Sequence, residues 1–469
     1  MIRGGAAPSR NTLSHAKKRR IPDMMEELFW SVLQHLHNIA ATSGPSGAHC
    51  RLCLMPPPRL CYRLKMVQEV NFRNRRKIIR NGYDRRTCWV QSRGGFIPRP
   101  GVVPTAIITM QKLLLSGCDV FDSLHVMRSD DDGHTWSGPT KQPGFGRFPA
   151  ANGREGIVSD FMPSWHSASG KLLVTGQFYF YRGDKLDMTM QPQKPVYAVF
   201  NDASGTFDPW QTLKLPDPKF FSYGSGNVQR FDLPDGDILL PIFGTSLQEA
   251  EAGSPRATRV LRCGFDGCKM KVKEIGQPVR VDQGSGTREP SLAFFDGRYY
   301  LSLRNDVHGH VAGSDDGLSF DEPQPWVFDD GQELGNYNTQ QRWAVHEKGL
   351  FLVYTRRGLN NDHVFRHRAP LMIAQVDPQK LCVIRETEQL VVPERGARLG
   401  NFSVDRHSPR ESWVVVTEWM QNGGDNAHAA IEKLRQRNGI HPTVTADPHQ
   451  ACEAFGSDNA TWVSRIIWR

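Results

Sequence analysis

The sequence lacks several features that would define its class directly. It has no run of about 18 apolar residues, so it predicts no membrane-spanning helix. Its nine cysteines do not have the spacing of a disulfide framework. Cys50 and Cys53 form a C-x-x-C pair, but no second pair follows, and the histidines match no metal-binding motif. We therefore expect no metal and no other cofactor.

A strongly basic body is also absent, although the whole chain has a net charge of +9. Residues 1–100 contain 19 Lys or Arg and 5 Asp or Glu, which leaves 39 basic and 44 acidic residues for the rest. Such a body argues against a nucleic-acid partner. Residues 1–66 lack the apolar centre of a signal peptide. We interpret them as a basic, disordered leader or an extension upstream of a later start, with a functional basic arm as the alternative. Residues 67–469 form the predicted folded domain.

Two octapeptides follow strand-like apolar runs and share one pattern. Residues 129–136, SDDDGHTW, match S-x-D-x-G-x-T-W at every specified position. Residues 313–320, GSDDGLSF, repeat it with Asp315 and Gly317 at the aspartate and glycine positions. In such a turn the carboxylate accepts backbone N–H groups, the glycine adopts a left-handed conformation and the aromatic packs under the sheet. Two copies predict a repeated β-sheet unit.

The distance between the two octapeptides predicts the number of units. They begin at Ser129 and Gly313, 184 residues apart, and two further groups of strand-like runs lie between them. This gives steps of about 61 residues, so residues 88–469 hold roughly six units. We expect an all-β, six-bladed β-propeller of four-stranded antiparallel blades. In this prediction, an early strand near residues 88–90 completes the last blade.

The octapeptides resemble the Asp-boxes, or BNR repeats, of the sialidase (neuraminidase) superfamily, whose six-bladed propellers carry them on blade edges. The resemblance implies that Asp131 and Asp315 are structural and that a ligand binds on the axis. It implies an exo-acting glycoside hydrolase with an anionic glycan as its partner, and a secreted or periplasmic location. Sialidases bind the sugar carboxylate with three arginines, protonate the leaving group with an aspartic acid and attack with a tyrosine activated by a glutamate.

The resemblance assigns these roles to residues in the first and fourth units. Arg99, before the strand-like run that starts at Ala106, resembles the first clamp arginine. Asp119 resembles the acid, with Asp122 as the alternative. Glu289 and Arg304 resemble the base and the second clamp arginine. Since an up-and-down strand pair returns to the same end of a sheet, we expect these two side chains to meet near the axis.

The fifth unit supplies the candidates for the third clamp arginine. Arg356 and Arg357 follow its second strand-like run, and residues 366–368, RHR, are the alternatives. An arginine suits this role because its planar guanidinium binds a carboxylate through two parallel hydrogen bonds and stays charged.

The last unit departs from the sialidase pattern. It begins with Phe402 where the resemblance predicts the nucleophilic tyrosine, and a phenylalanine has no hydroxyl group. Tyr337, which opens the fifth unit, is the substitute candidate. Two other functions remain open: a propeller glycosidase or lyase with another specificity, arabinosidase-like or for a uronic-acid polymer, and a non-catalytic glycan-binding propeller.

Overall fold

The structure is a computed structural model of the chain. It describes residues 69–117, 119–187, 189, 192–215, 220–421, 426, 429–430, 432–433, 436 and 448–469. Every described residue belongs to one unit, Lys65–Arg469. The predicted leader, residues 1–66, lies outside the described residues.

The described strands form six antiparallel sheets. The strands of the first three sheets are β2 (Thr87–Ile97), β3 (Thr105–Leu114), β4 (Phe121–Ser129) and β5 (Ser137–Lys141); β6 (Phe148–Ala150), β7 (Arg154–His166), β8 (Lys171–Arg182), β9 (Lys185–Leu186), β10 (Val196–Asn201), β11 (Thr206–Phe207) and β12 (Gln211–Thr212); and β13 (Ser222–Gly224), β14 (Phe231–Asp232), β15 (Ile238–Thr245), β16 (Ala257–Phe265) and β17 (Met270–Ile275). The strands of the other three are β18 (Arg288–Phe295), β19 (Arg298–Arg304), β20 (His310–Ser314) and β21 (Gln324–Pro325); β22 (Arg342–His346), β23 (Gly349–Tyr354), β24 (Leu371–Asp377), β25 (Cys382–Val383) and β26 (Gln389–Val392); and β27 (Phe402–Ser408), β28 (Glu411–Thr417), β29 (Thr461–Trp468) and β1 (Phe72–Arg80).

Helical structure is sparse in the described part of the chain. It includes two short α-helices and three 3₁₀ segments: α1 (Leu247–Glu251), α2 (Pro448–Ala454), Ala151–Gly153, Phe365–His367 and Arg385–Thr387. Residues 426, 429–430, 432–433 and 436 are also helical. None of the helices described here is long and apolar enough to cross a membrane.

The sheets follow one another around a propeller-like ring. Strand β2 contacts β7 of the second sheet and β27 of the sixth, while β13 contacts β8, β15 contacts β18, β18 contacts β22, and β22 contacts β27. The hydrophobic core lies between neighbouring sheets: one cluster combines Ile107 of the first sheet with Val158 of the second, and another combines Phe351 of the fifth with Val414 of the sixth. The all-β, propeller-like fold predicted from the sequence is confirmed.

The ring closes through β1, not through residues 88–90 as we predicted. Strand β1 pairs with β29, with Phe72 opposite Trp468. The Phe72 ring packs edge-on against Trp468 and Phe351, with centroid distances of 5.5 and 5.9 Å. Residues 88–90 belong instead to β2, the first strand of the first sheet. The sequence FRNRRKIIR of β1 hid this strand, because most of its side chains are exposed or half-buried and polar.

The first octapeptide forms a hydrogen-bonded turn after β4. The Asp131 carboxylate accepts from the Thr135 N–H at 2.9 Å and from the Ser129 hydroxyl at 2.8 Å. The Ser129 oxygen in turn accepts from the Gly133 N–H at 2.9 Å. These bonds lower the pKa of Asp131 to about 2, chiefly through the Thr135 hydroxyl and N–H.

The second turn uses a different aspartate from the one we aligned. Asp316, not Asp315, accepts from the N–H groups of Leu318 and Ser319 at 2.8 and 2.7 Å. The Ser314 hydroxyl donates to Asp316 and accepts from the Gly317 N–H. Ser314 therefore occupies the serine position, and the loop is one residue shorter than the first. The Asp315 side chain is 91% exposed.

The two adjacent aspartates give a matched test of this turn. We expect Asp316→Ala to lower the free energy of unfolding by about 1 kcal/mol, because two backbone N–H groups lose their acceptor. Asp315→Ala is the control, since that residue is also exposed but makes none of these bonds. Urea denaturation of the two variants checks the assignment, and equal stability losses would contradict it.

Candidate active site

Polar residues enter the centre of the ring through bulges in the innermost strands. Gln91 of β2, Asp160 of β7 and Glu289 of β18 each lie at a register shift. All three have a positive φ, of 56°, 59° and 43°. A bulge of this kind turns one side chain away from the alternation of its strand. Such backbone strain is concentrated at functional sites, so the bulges mark the centre of the ring as the candidate site.

A buried ion pair joins Glu289 and Arg304. Glu289 lies at the start of β18 and Arg304 at the end of β19, so the antiparallel pairing brings them together as predicted. The Arg304 guanidinium donates to Glu289 Oε1 at 2.5 Å, and the two side chains are 12% and 13% exposed. Burial raises the pKa of Glu289, but Arg304, Arg368 and Arg288 together outweigh burial and the net shift is downward. The glutamate is therefore ionised at neutral pH.

Positive charge around this pair exceeds what Glu289 neutralises. Arg368 precedes β24, is 6% exposed and donates to the carbonyl oxygen of Asn338. Among the described residues it has no carboxylate partner, and its Nε has no hydrogen-bond acceptor. Burial, followed by the charges of Arg304, Arg398 and Arg366, lowers the pKa of Arg368 well below its ordinary value. We call Arg304, Arg366, Arg368 and Arg398 the arginine cluster.

Asp119 lies in the loop between β3 and β4 and faces the same region. It is half-buried, and its φ is 57°. Its backbone oxygen accepts from the Tyr181 hydroxyl at 2.8 Å, which anchors the loop. The Asp119 charge contributes to the raised pKa values of Asp160 and Tyr179. Asp119 therefore lies within electrostatic reach of the central carboxylates.

A second network connects Asp160 and Tyr179 in the second sheet. The Tyr179 hydroxyl donates to Asp160 Oδ2 at 2.6 Å, and the Gln177 amide donates to the same oxygen at 3.0 Å. Arg93 of β2 donates to Asp160 Oδ1 at 3.1 Å. Burial raises the pKa of Asp160, although Arg93 opposes the shift.

Two fully buried arginines meet on one amide. Asn227 Oδ1 accepts from Arg93 at 2.8 Å and from Arg342 at 2.7 Å. Arg342 also donates to Gln340 at 2.9 Å, and no described carboxylate pairs with it. Burial and the charge of Arg93 lower the pKa of Arg342 to about 9. The centre of the ring thus contains two groups of arginines, the arginine cluster and the pair Arg93 and Arg342.

Arg99 does not join these arginines. It donates to Asp202 at 2.6 Å and to Thr105 at 3.0 Å. Thr105 lies at the strand ends of the first sheet where the turn after β4 is found. Glu289 and Arg304 lie at the opposite strand ends of their sheet, away from the turn after β20. Arg93, six residues earlier in the chain, is the arginine that the first sheet contributes to the site.

The candidates in the fifth sheet have different surroundings from those we expected. Arg356 is held by Glu388 through two hydrogen bonds, of 2.7 and 2.6 Å, so its guanidinium is already occupied. Arg357 is exposed and stacks 3.8 Å over the ring of Tyr337. The Tyr337 hydroxyl is hydrogen-bonded to His367 Nδ1 at 2.7 Å, so its partner is an imidazole and not Glu289.

Sequence reasoning missed Arg93, Asp160, Tyr179 and Arg342, and treated Arg368 only as an alternative. A signal existed for Asp160, which interrupts the apolar run of residues 157–161, and for Arg93, which interrupts the buried strand β2. Phe402 is fully buried, and its backbone oxygen accepts from Gln340, so its ring serves the core.

A separate cavity of about 280 Å³ is lined by residues from the inner strands of several sheets, among them Trp343, Arg230 and Asp405. Most of its walls are apolar, and Arg230 is already bound to Asp232 and two backbone oxygens. Burial raises the pKa of Asp405 to about 7. Arg406, which also lines the cavity, is exposed and donates to the Ser408 backbone oxygen at 3.4 Å. The described residues contain no group of three His, Cys, Asp or Glu side chains that would hold a metal ion.

No protein-family model and no curated protein matches the chain. Among solved structures it is similar to a protein of unknown function from Dyadobacter fermentans DSM 18053, with a TM-score of 0.55 and 13% identity over 84% of this chain and 99% of that one. It is similar to the Hadza microbial sialidase Hz136, with a TM-score of 0.50 and 13% identity over 70% of this chain and 63% of the sialidase. It is also similar to Trypanosoma rangeli sialidase in complex with 2,3-difluoro-KDN, with a TM-score of 0.50 and 12% identity over 83% of this chain and 65% of the sialidase. The chain therefore has a sialidase-like propeller fold and spans less than two thirds of both sialidase chains.

The excess charge of the arginine cluster gives a test on stability. We expect Arg368→Met to raise the free energy of unfolding by about 1 kcal/mol, because a buried guanidinium without a carboxylate partner is replaced by an apolar side chain. Arg356→Met is the control and should lower it by about 1–3 kcal/mol, because Glu388 loses its partner. Urea denaturation measures both. A large stability loss in Arg368→Met would show that its charge is already compensated.

Proposed function

We propose that this protein is an exo-acting glycoside hydrolase of the sialidase-like superfamily. Its proposed substrate carries a terminal sialic acid or another carboxylate-bearing sugar, which binds at the centre of the ring. The observation that carries the proposal is Arg368, a buried arginine beside the Glu289–Arg304 pair that has no described carboxylate partner of its own. A bound carboxylate would supply the missing negative charge.

Arg304 and Asp119 keep the roles that the resemblance assigns to them, whereas Glu289, assigned there as the base, now orients Arg304. Arg304 and Arg368 bind the sugar carboxylate, with Arg368 in place of Arg356 and Arg357. Glu289 orients Arg304 through the 2.5 Å hydrogen bond. Asp119 is the general acid, because it lies in a loop at the central site and a protonated carboxyl group can donate to the leaving oxygen.

The alternative of a non-catalytic glycan-binding propeller is favoured by Phe402, which leaves the sixth sheet without a nucleophile at the expected position. Hydrogen bonds among Asp160, Tyr179 and Gln177 favour an enzyme instead, because they hold a hydroxyl against a carboxylate that could act as a general base. Both functions share the anionic ligand and differ in turnover.

A substrate panel tests the anionic specificity. We expect hydrolysis of aryl sialosides or aryl uronides and none of neutral aryl glycosides. Arg368→Ala and Arg304→Ala should each lower kcat/KM about 10²–10³-fold, because each removes a charge-assisted contact to the carboxylate. Arg99→Ala is the control and should keep the wild-type rate, since its partner is Asp202.

Three results of the panel would each decide against part of the proposal. Turnover of neutral glycosides alone would remove the carboxylate clamp. Specific binding of an anionic glycan without turnover of any member would identify a binding protein. Equal losses in Arg99→Ala and Arg368→Ala would show that the centre of the ring is not the site.

The role of Asp119 is tested by varying the leaving group. We expect Asp119→Ala to lower the rate about 10²–10⁴-fold for a sugar linked to an alkyl alcohol, which needs protonation to leave. Aryl glycosides with acidic phenols should be affected much less. Steady-state kinetics over a series of phenols measures this as a steeper dependence on leaving-group pKa. A uniform loss across the series would contradict the role of general acid.

A further inference from the structure

The Tyr179 hydroxyl lies within hydrogen-bond distance of a buried base in the central site. It donates to Asp160 Oδ2 at 2.6 Å, and Asp160 is oriented by Arg93 at 3.1 Å and Gln177 at 3.0 Å. A hydroxyl, a base in contact with it and a third group that holds the base make up the general arrangement for activating a nucleophile. The three elements are present here without any contribution from the sixth sheet.

Charge favours Tyr179 over the carboxylates around it. A substrate with its own carboxylate repels an anionic nucleophile, whereas a phenol is neutral. Glu289 is occupied by Arg304, and Asp160 is 3% exposed. Tyr179 is only half-buried.

The protonation states of this pair agree with that role. Burial and then the charge of Asp160 raise the pKa of Tyr179 well above its ordinary value, so the hydroxyl keeps its proton before reaction. Burial also raises the pKa of Asp160, and a carboxylate with a raised pKa is a stronger base. The charges of Asp119 and Glu289 act on Tyr179 as well, which places it among the residues assigned to substrate.

We propose that Tyr179 is the catalytic nucleophile of this hydrolysis and that Asp160 is its base, an inference that rests on the proposed function. The Tyr179 oxygen bonds to the anomeric carbon while its proton passes to Asp160. The bond to the leaving group breaks, and the departing oxygen takes the proton of Asp119. Water then gives a proton to Asp119 and bonds to the anomeric carbon, and Tyr179 leaves with the proton held by Asp160. Two displacements retain the anomeric configuration.

Tyr337 is the competing tyrosine. Its hydroxyl is bonded to His367 Nδ1 at 2.7 Å, and His367 Nε2 is 3.0 Å from Asp362. These hydrogen bonds also join a tyrosine hydroxyl to a base. The exposed guanidinium of Arg357 covers the Tyr337 ring, however, and none of Asp119, Asp160 or Glu289 is its hydrogen-bond partner. We assign Tyr337 to the edge of the site, where it positions His367.

The experiment is covalent trapping of the full chain. The probes are 2,3-difluorosialic acid and 2-deoxy-2-fluoroglucuronosyl fluoride. In each, the ring fluorine slows both displacements and the anomeric fluoride, a good leaving group, speeds only the first, so the covalent intermediate accumulates. We expect one label per chain, located on Tyr179 by peptide mass spectrometry. Tyr179→Phe should take no label, and Asp160→Asn should label about 10²–10⁴-fold more slowly. Tyr197→Phe is the control and should label at the wild-type rate, because that hydroxyl bonds to Gln211 and the Met270 N–H.

A label on Tyr337, Asp119 or Glu289 would overturn the assignment to Tyr179 while leaving the proposed hydrolysis intact. An inverted product, seen by NMR during turnover, would do the same. If the chain neither labels nor turns over any anionic glycoside, both the inference and the proposed function fail. The wild-type label is read without any variant, so a variant that does not fold leaves the test decisive.

Discussion

The buried ion pair of Glu289 and Arg304 is the interaction on which the candidate site depends. Placing two charges in the centre of the ring costs hydration energy, which the 2.5 Å contact and the second bond of Arg304 to Asn338 offset. Asn338 also accepts from Arg368 through its backbone oxygen and from Arg366 through its side chain at 3.4 Å, so one loop residue contacts three guanidinium groups. The surplus positive charge follows from this arrangement, and it defines what kind of ligand fits.

The two ends of the strands in these sheets serve different purposes. The turns formed around Asp131 and Asp316 are satisfied by their own backbone N–H groups, and they hold strand ends together. Toward the opposite strand ends lie the bulges with positive φ angles and the arginines that have no described carboxylate partner. The strained bulges of the innermost strands and the uncompensated arginines thus lie toward the end that faces the proposed substrate.

The fold and part of the site could be predicted from the sequence because they depend on spacing. The octapeptides predicted a repeated unit, and the fifteen-residue separation of Glu289 and Arg304 matched a strand pair. One misassigned strand explains two wrong predictions, the strand that closes the ring and the position of Arg99. Since β1 closes the ring, β2 is an innermost strand, and Arg99 follows that strand instead of preceding it. Asp160 was missed because a bulge reverses the side to which a residue points, and no periodicity reveals it.

The most direct test of the arginine cluster is calorimetric titration with matched ligands. The wild-type chain would be titrated with the unsaturated sialic-acid analogue 2-deoxy-2,3-dehydro-N-acetylneuraminic acid and with glucuronic acid, each beside its methyl ester. The esters keep the sugar and remove the negative charge. Our account predicts that at least one free acid binds and that its ester does not. Equal binding of acid and ester, or no binding of either acid, would contradict it.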